Sequence, residues 1–216
     1  MKKLSILAII LLGSLLVAGG ASAIPVTVNY TADNITVSLA TLELPSPTWD
    51  MQTLGANAGN WHFADSTTLN LNDSWYAFMF VVENYGTGGS GNPAALLAEI
   101  SIDGGPTYLS SPDWYAEDGH YFAGTTGPTP WDHAVSYGTN AGGTIWYDNW
   151  GGSVTGISED AHWIWTETNF SSDTSQFASF LTVVNVAPVP EPATMLLLGA
   201  GLVGLAGMGR KKFFKK

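Results

Sequence analysis

The feature that most constrains this chain is the placement of its positive charge. All seven Lys and Arg lie at the two ends (Lys2, Lys3, Arg210, Lys211, Lys212, Lys215 and Lys216), and residues 24–189 contain none. That central segment carries 17 of the 18 acids, Glu191 being the other, so its formal charge is −17 where the whole chain's is −11. No carboxylate within it can pair with a Lys or Arg of the same segment, so stability must come from apolar burial and hydrogen bonds. Nucleic acid is excluded as a partner, because neutralising phosphates requires Lys or Arg. The acidic surface repels itself, and salt or divalent cations relieve that repulsion.

The two cationic ends read as processing segments. Met1-Lys2-Lys3, an apolar stretch over 4–17 and the small residues Ala21-Ser22-Ala23 form a signal peptide over 1–23, with Ala21 and Ala23 at the cleavage site. Its expected partners are the Sec translocon and signal peptidase, and the expected mature start is Ile24. At the other end, residues 193–208 are sixteen residues without a charge. As a helix they span about 24 Å, a little under a hydrocarbon core of about 30 Å. A transmembrane helix is expected over 193–209, followed by a basic cytoplasmic tail over 210–216 in which Arg210, Lys211 and Lys212 stop transfer. Four glycines (Gly199, Gly201, Gly204, Gly207) weaken that helix, which suits a span held briefly and released. Pro190 and Pro192 keep the linker 187–192 extended and open to a protease or transpeptidase. Physically, an ordinary single-span anchor remains the alternative.

The order Pro190-Glu191-Pro192, Gly-rich apolar helix, basic cluster resembles the PEP-CTERM sorting signal of Gram-negative bacteria. The resemblance covers residues 189–216. It implies processing by exosortase, a membrane-embedded cysteine protease, after export across the inner membrane and transient anchoring there. The final location would be the cell surface or the extracellular matrix of exopolysaccharide-producing, biofilm-forming cells. It implies nothing about residues 24–186 themselves.

The chain has no Cys, so it forms no disulfide, no thiolate metal site and no cysteine nucleophile. The fold class expected is all-β, one acidic β-sandwich over 24–186. Residues 34–44 alternate, with Ile35, Val37 and Leu39 on one face. Residues 75–82 (Trp-Tyr-Ala-Phe-Met-Phe-Val-Val) are apolar on both faces and predict a buried central strand. Further strands are expected over 94–102, 144–150, 161–168 and 176–186. Tyr76–Asn84, Asn92–Ile100, Ser111-Pro-Asp-Trp114, Trp131-Asp-His-Ala134, Ala161-His-Trp-Ile-Trp165 and Phe180–Val184, in that order, resemble galactose-binding-like jelly-roll domains of exported bacterial proteins. That resemblance spans 67–186 and implies a fold more than a ligand.

Two aromatic groups are candidate carbohydrate sites. Trp146, Tyr147, Asp148, Asn149 and Trp150 precede Gly151-Gly152, and Trp114-Tyr115 lies near Glu117, Asp118 and His120. An exposed aromatic face stacks on a sugar ring while Asn and Asp bind its hydroxyls. The competing reading is that at least one Trp of each group fills the core. Asp113, Glu117 and Asp118 are a candidate Ca²⁺ site, since hard oxygen ligands suit that ion, although no Ca²⁺-loop motif is present. No other cofactor is implied, and the four His show no zinc spacing. No Gly-x-Ser-x-Gly elbow or phosphate loop occurs, and no acid pair stands out as catalytic. The expectation is a non-enzymatic matrix or surface component, with polysaccharide as its possible ligand. A secreted glycan hydrolase and a purely structural surface protein are the alternatives.

Overall fold

The computed structural model describes residues 23–86, 92–119, 131–166 and 176–187, with 198, 199, 201 and 202 in the tail. Two antiparallel sheets face each other. The first contains β1 (Ile24–Asp33), β4 (Asp65–Leu71), β6 (Ala95–Ile102), β7 (Thr107–Leu109), β10 (Val135–Thr139) and β11 (His162–Trp165). The second contains β2 (Ile35–Glu43), β3 (Asp50–Met51), β5 (Ser74–Glu83), β8 (Tyr115–Asp118), β9 (Asp132–His133) and β12 (Phe177–Val186). Strand order is β10-β11-β6-β1-β4 in the first, with β7 on the free stretch of β6 beside β11, and β3-β2-β5-β12-β8-β9 in the second. The chain is therefore mostly β, as expected.

β5 lies between β2 and β12, and Tyr76 to Val82 are all buried. Its even-numbered residues Tyr76, Phe78, Phe80 and Val82 point into the space between the sheets. Val26, Val28 and Tyr30 of β1 and Leu96, Ala98 and Ile100 of β6 meet them from the other sheet. Each large side chain withdrawn from water here contributes about 1.5–3 kcal/mol. Tyr30 packs edge-on to Phe80 at 5.9 Å, and its hydroxyl donates to Asp65 Oδ2 at 3.2 Å.

β6 buries both faces. Ala95 and Leu97 point away from the main core, into a second cluster with Trp163, Val154, Ile157, Ala161 and Trp146. Trp146 belongs to a short helix, α1 (Ile145–Trp150), where a strand over 144–150 is expected from the sequence. Local capping decides the helix. Thr144 Oγ1 accepts from the Tyr147 N–H, and Gly151, at φ 78° and ψ 31°, closes the other end with its N–H on the Tyr147 carbonyl.

The expected alternation over 34–44 also changes. The register of β2 on β5 slips between Thr36 and Ser38, so Leu39 sits opposite Phe80 while Ile35 sits opposite Glu83. Phe80 and Glu83 are an odd number of residues apart in one strand, so Ile35 and Leu39 lie on opposite faces.

The signal peptide, apart from Ala23, lies outside the described residues, as do Pro190-Glu191-Pro192 and the basic tail with Arg210, Lys211 and Lys212. Of the expected span 193–209, only Leu198, Gly199, Gly201 and Leu202 are described, all helical. Among the described residues no helix is long and apolar enough to cross a membrane.

Candidate functional site

A pocket of about 260 Å³ lies beside α1. One wall is Trp61, His62 and Phe63, with Phe63 59 % exposed. The loop that presents them is tied to β2 and closed by bonds of its own. The Thr36 N–H donates to the Ala58 carbonyl at 2.8 Å, the Phe63 N–H to Asn60 O at 3.1 Å and the His62 N–H to Asn60 Oδ1 at 3.3 Å. The His62 ring stacks on Trp61 at 4.0 Å.

The floor is Trp146 against Trp163, stacked at 4.6 Å and 13°. Tyr137 stacks behind Trp146 at 6.3 Å. The Trp146 indole N–H donates to Asp33 Oδ2 at 3.0 Å. Asp33 is 4 % exposed, and its other oxygen accepts from Asn34 Nδ2 at 2.7 Å. Burial pushes its pKa up to about 6, against a smaller lowering by the indole bond, and among the described residues no Lys or Arg offsets it. The rim is Tyr147 with Gly151, Gly152 and Ser153. Asn140 fixes the loop behind that rim. Its amide donates to the Val154 and Ile157 carbonyls at 3.1 and 3.0 Å, and its oxygen accepts from the Val154 N–H at 2.8 Å.

A second, more open groove of about 470 Å³ runs between β7 of one sheet and β8 and β12 of the other. Tyr108, Trp114, Tyr115 and Val183 line it. The exposed Tyr115 ring stacks on His133 at 5.0 Å.

Each aromatic candidate group thus reaches one concavity, but the two tryptophans expected as sugar platforms are not open faces. Trp146 is 3 % exposed, covering the outer side of β6. Trp114 is 3 % exposed and stacks on Phe80 at 5.8 Å in the intersheet core. Tyr147 and Tyr115 are the more accessible members, and Asp148 is exposed. Asn149 and Trp150 complete the backbone of α1, and their side chains lie outside the described structure.

The candidate Ca²⁺ ligands are not brought together. Glu117 and Asp118 are successive residues of β8, so their carboxylates point to opposite sides of the sheet. Asp118 accepts from the Thr166 hydroxyl, and exposed Asp113 sits in the turn before the strand, its N–H on Ser111 Oγ. Among the described residues no three His, Asp or Glu side chains are placed to hold a metal ion, and His120 lies outside them.

Sequence reasoning missed Asp33 and the 61–63 wall. The run Trp61-His62-Phe63, set in a loop of Gly and Asn, was a usable signal for the wall. Asp33, one acid at the end of a strand, had no signature without the partner 113 residues away.

No curated protein and no solved structure matches the chain. Residues 188–211 match the model of the PEP-CTERM protein-sorting motif, which indicates a secreted, membrane-processed protein delivered to the cell surface with an exosortase as its processing partner.

Proposed function

We propose that the processed protein is a non-enzymatic component of the cell surface or extracellular matrix that binds polysaccharide in the α1 pocket. The observation that carries this reading is a concavity of about 260 Å³ lined by Trp61, Phe63, Tyr147 and the Trp146–Trp163 pair. Aromatic rings stack on the apolar face of a sugar, and a cleft of this kind is where a ligand site is sought. The sorting motif supports the location. The two facing sheets are in keeping with a galactose-binding-like jelly roll. The apolar run 193–209 acts as a temporary span with Arg210, Lys211 and Lys212 on the cytoplasmic side, and cleavage falls at Pro190-Glu191-Pro192.

Affinity electrophoresis of the processed protein in gels containing the host's exopolysaccharide tests the binding. Retardation is expected, and Trp61→Ala should lessen it. No retardation with any matrix glycan removes the binding claim and leaves a structural surface protein. Release of reducing sugar from the glycan replaces it with a hydrolase. Mass spectrometry of the mature C-terminus tests the processing: an end near Pro190–Pro192 is expected, and an intact Lys216 overturns it.

A further inference from the structure

We infer that the α1 pocket selects a cationic amino-sugar unit of a glycan, its ring against the aromatic walls and its ammonium over their π-faces. The inference rests on the glycan-binding reading and names the class of sugar within it.

Three observations carry it. The first is what the pocket lacks. Its most capable polar side chain, the Asn140 amide, is already engaged: both functional atoms hold the backbone of Val154 and Ile157. The Trp146 N–H, the one donor of that indole, is consumed by Asp33. A site that reads a neutral sugar through its hydroxyls needs convergent polar side chains, and the pocket's one amide and the Trp146 indole N–H are held by the protein itself. The second is what the pocket has. Trp61, Phe63 and Tyr147 contribute accessible aromatic surface around one small volume, over a floor closed by the buried Trp146–Trp163 pair. Rings attract a cation through the negative potential of their faces, most strongly for Trp and when the cation is partly desolvated. The third is the field. Residues 24–189 hold 17 carboxylates and no Lys or Arg, so the segment's net charge is strongly negative and long-range attraction favours a positive ligand. An anionic uronate meets repulsion and no cation to bind it. A neutral N-acetylated sugar keeps the stacking and loses the charge.

Isothermal titration calorimetry of the processed protein at low and physiological salt tests this with three probes: a glucosamine oligomer, its N-acetylated counterpart and an oligoglucuronate of equal length. The glucosamine oligomer should bind about tenfold tighter than the N-acetylated one, the worth of a good cation–π contact, and the uronate should not bind. Trp61→Ala and Phe63→Ala are changes in the pocket wall, Phe63 being exposed and Trp61 partly buried against the outer cluster, and each should reduce the preference. Because a strongly acidic protein attracts polycations anywhere on its surface, a lysine pentapeptide is the control: its binding should be unaffected by the two wall variants. Equal binding of the two hexosamine oligomers overturns the cationic preference and leaves glycan binding standing. Undiminished glucosamine binding by both variants overturns the pocket as its site. No binding of any sugar overturns both readings.

Discussion

The two hydrophobic clusters of this domain are closed by different means. The intersheet core is enclosed by strands whose N–H and C=O groups are satisfied by the ladders, so β5 can bury seven consecutive residues without side-chain help. The outer cluster on Ala95 and Leu97 is enclosed by a six-residue helix and the loop after it. Those backbones have no ladder, and buried backbone groups need partners. Side chains supply them: Thr144 caps α1, the Asn140 amide holds Val154 and Ile157, and Glu99 Oε2 accepts the Ser158 N–H at 2.8 Å. In a segment without Lys or Arg, every one of these ties is a hydrogen bond. The intersheet core gives the domain its stability, and the outer cluster gives the pocket its shape.

The largest effect should come from the intersheet core. Phe80→Ala removes a fully buried ring packed on Tyr30 and Trp114 and should cost about 4 kcal/mol. Urea unfolding should stay cooperative with a lower midpoint, and a loss confined to a few strands by hydrogen exchange would break the description of one shared core.

Asp33 comes next, and its effect has a sign. Burial raises its folded pKa from 3.8 to about 6, so the folded state binds the proton more tightly than the unfolded chain does. Its contribution to stability is therefore full below the unfolded value and is lost as pH rises through about 6. The shift corresponds to about 3 kcal/mol. Asp33→Asn keeps one acceptor for the Trp146 indole but holds no charge. Compared at each pH by urea midpoint, the variant should be the more stable at pH 8 and should lose that advantage progressively as pH falls from about 6 to 3.8 and below. The difference between the two proteins isolates Asp33 from the general repulsion among the other acids, and a difference independent of pH contradicts the buried carboxylate.

The intersheet core was more legible than the outer cluster for the same reason. Tyr76–Val82 announces itself because a strand closed by ladders needs only apolar residues and flanking turns, whereas Ala95–Ile102 suits a helical turn as well and only the turn at 103–106 decides for a strand. β1 alternates plainly at Ile24, Val26, Val28 and Tyr30, although the strands expected from the sequence begin only at residue 34. The helix was hidden because six residues are too few to display a 3.6-residue period, and Trp146, Tyr147 and Trp150 favour strands by propensity. The legible clue was at its ends, Thr144 and Gly151. The acids around β8 looked like a cluster in one dimension, and strand alternation separates Glu117 from Asp118. The burial of Trp114 and Trp146 depends on Phe80 and Trp163, partners 34 and 17 residues away, which no local pattern encodes.

Asn140→Ala tests the outer cluster directly. It leaves the Val154 N–H and the Val154 and Ile157 carbonyls without their partner, at a cost of about 2 kcal/mol. Amide exchange should accelerate over 145–161 while β5 and β12 keep their protection. Equal acceleration in β5 would mean that the two clusters open as one unit.

The smallest effect is the most discriminating. Gly151 ends α1 in the left-handed region, and a Cβ added there meets nothing within 4 Å. Gly104, at φ 65° in the turn between β6 and β7, is in the same position sterically. Alanine at either site should cost about 1 kcal/mol through the backbone alone. Since no packing differs, the two variants should lose the same stability by urea midpoint. Their pockets should not respond alike. Gly151 lines the rim and its N–H holds the end of the helix that carries Tyr147, whereas Gly104 is not among the pocket's residues. Gly151→Ala should therefore weaken glycan binding and Gly104→Ala should leave it unchanged. Equal weakening by both would mean that the pocket depends on global stability, and that the division between a stabilising core and a shaping one does not hold.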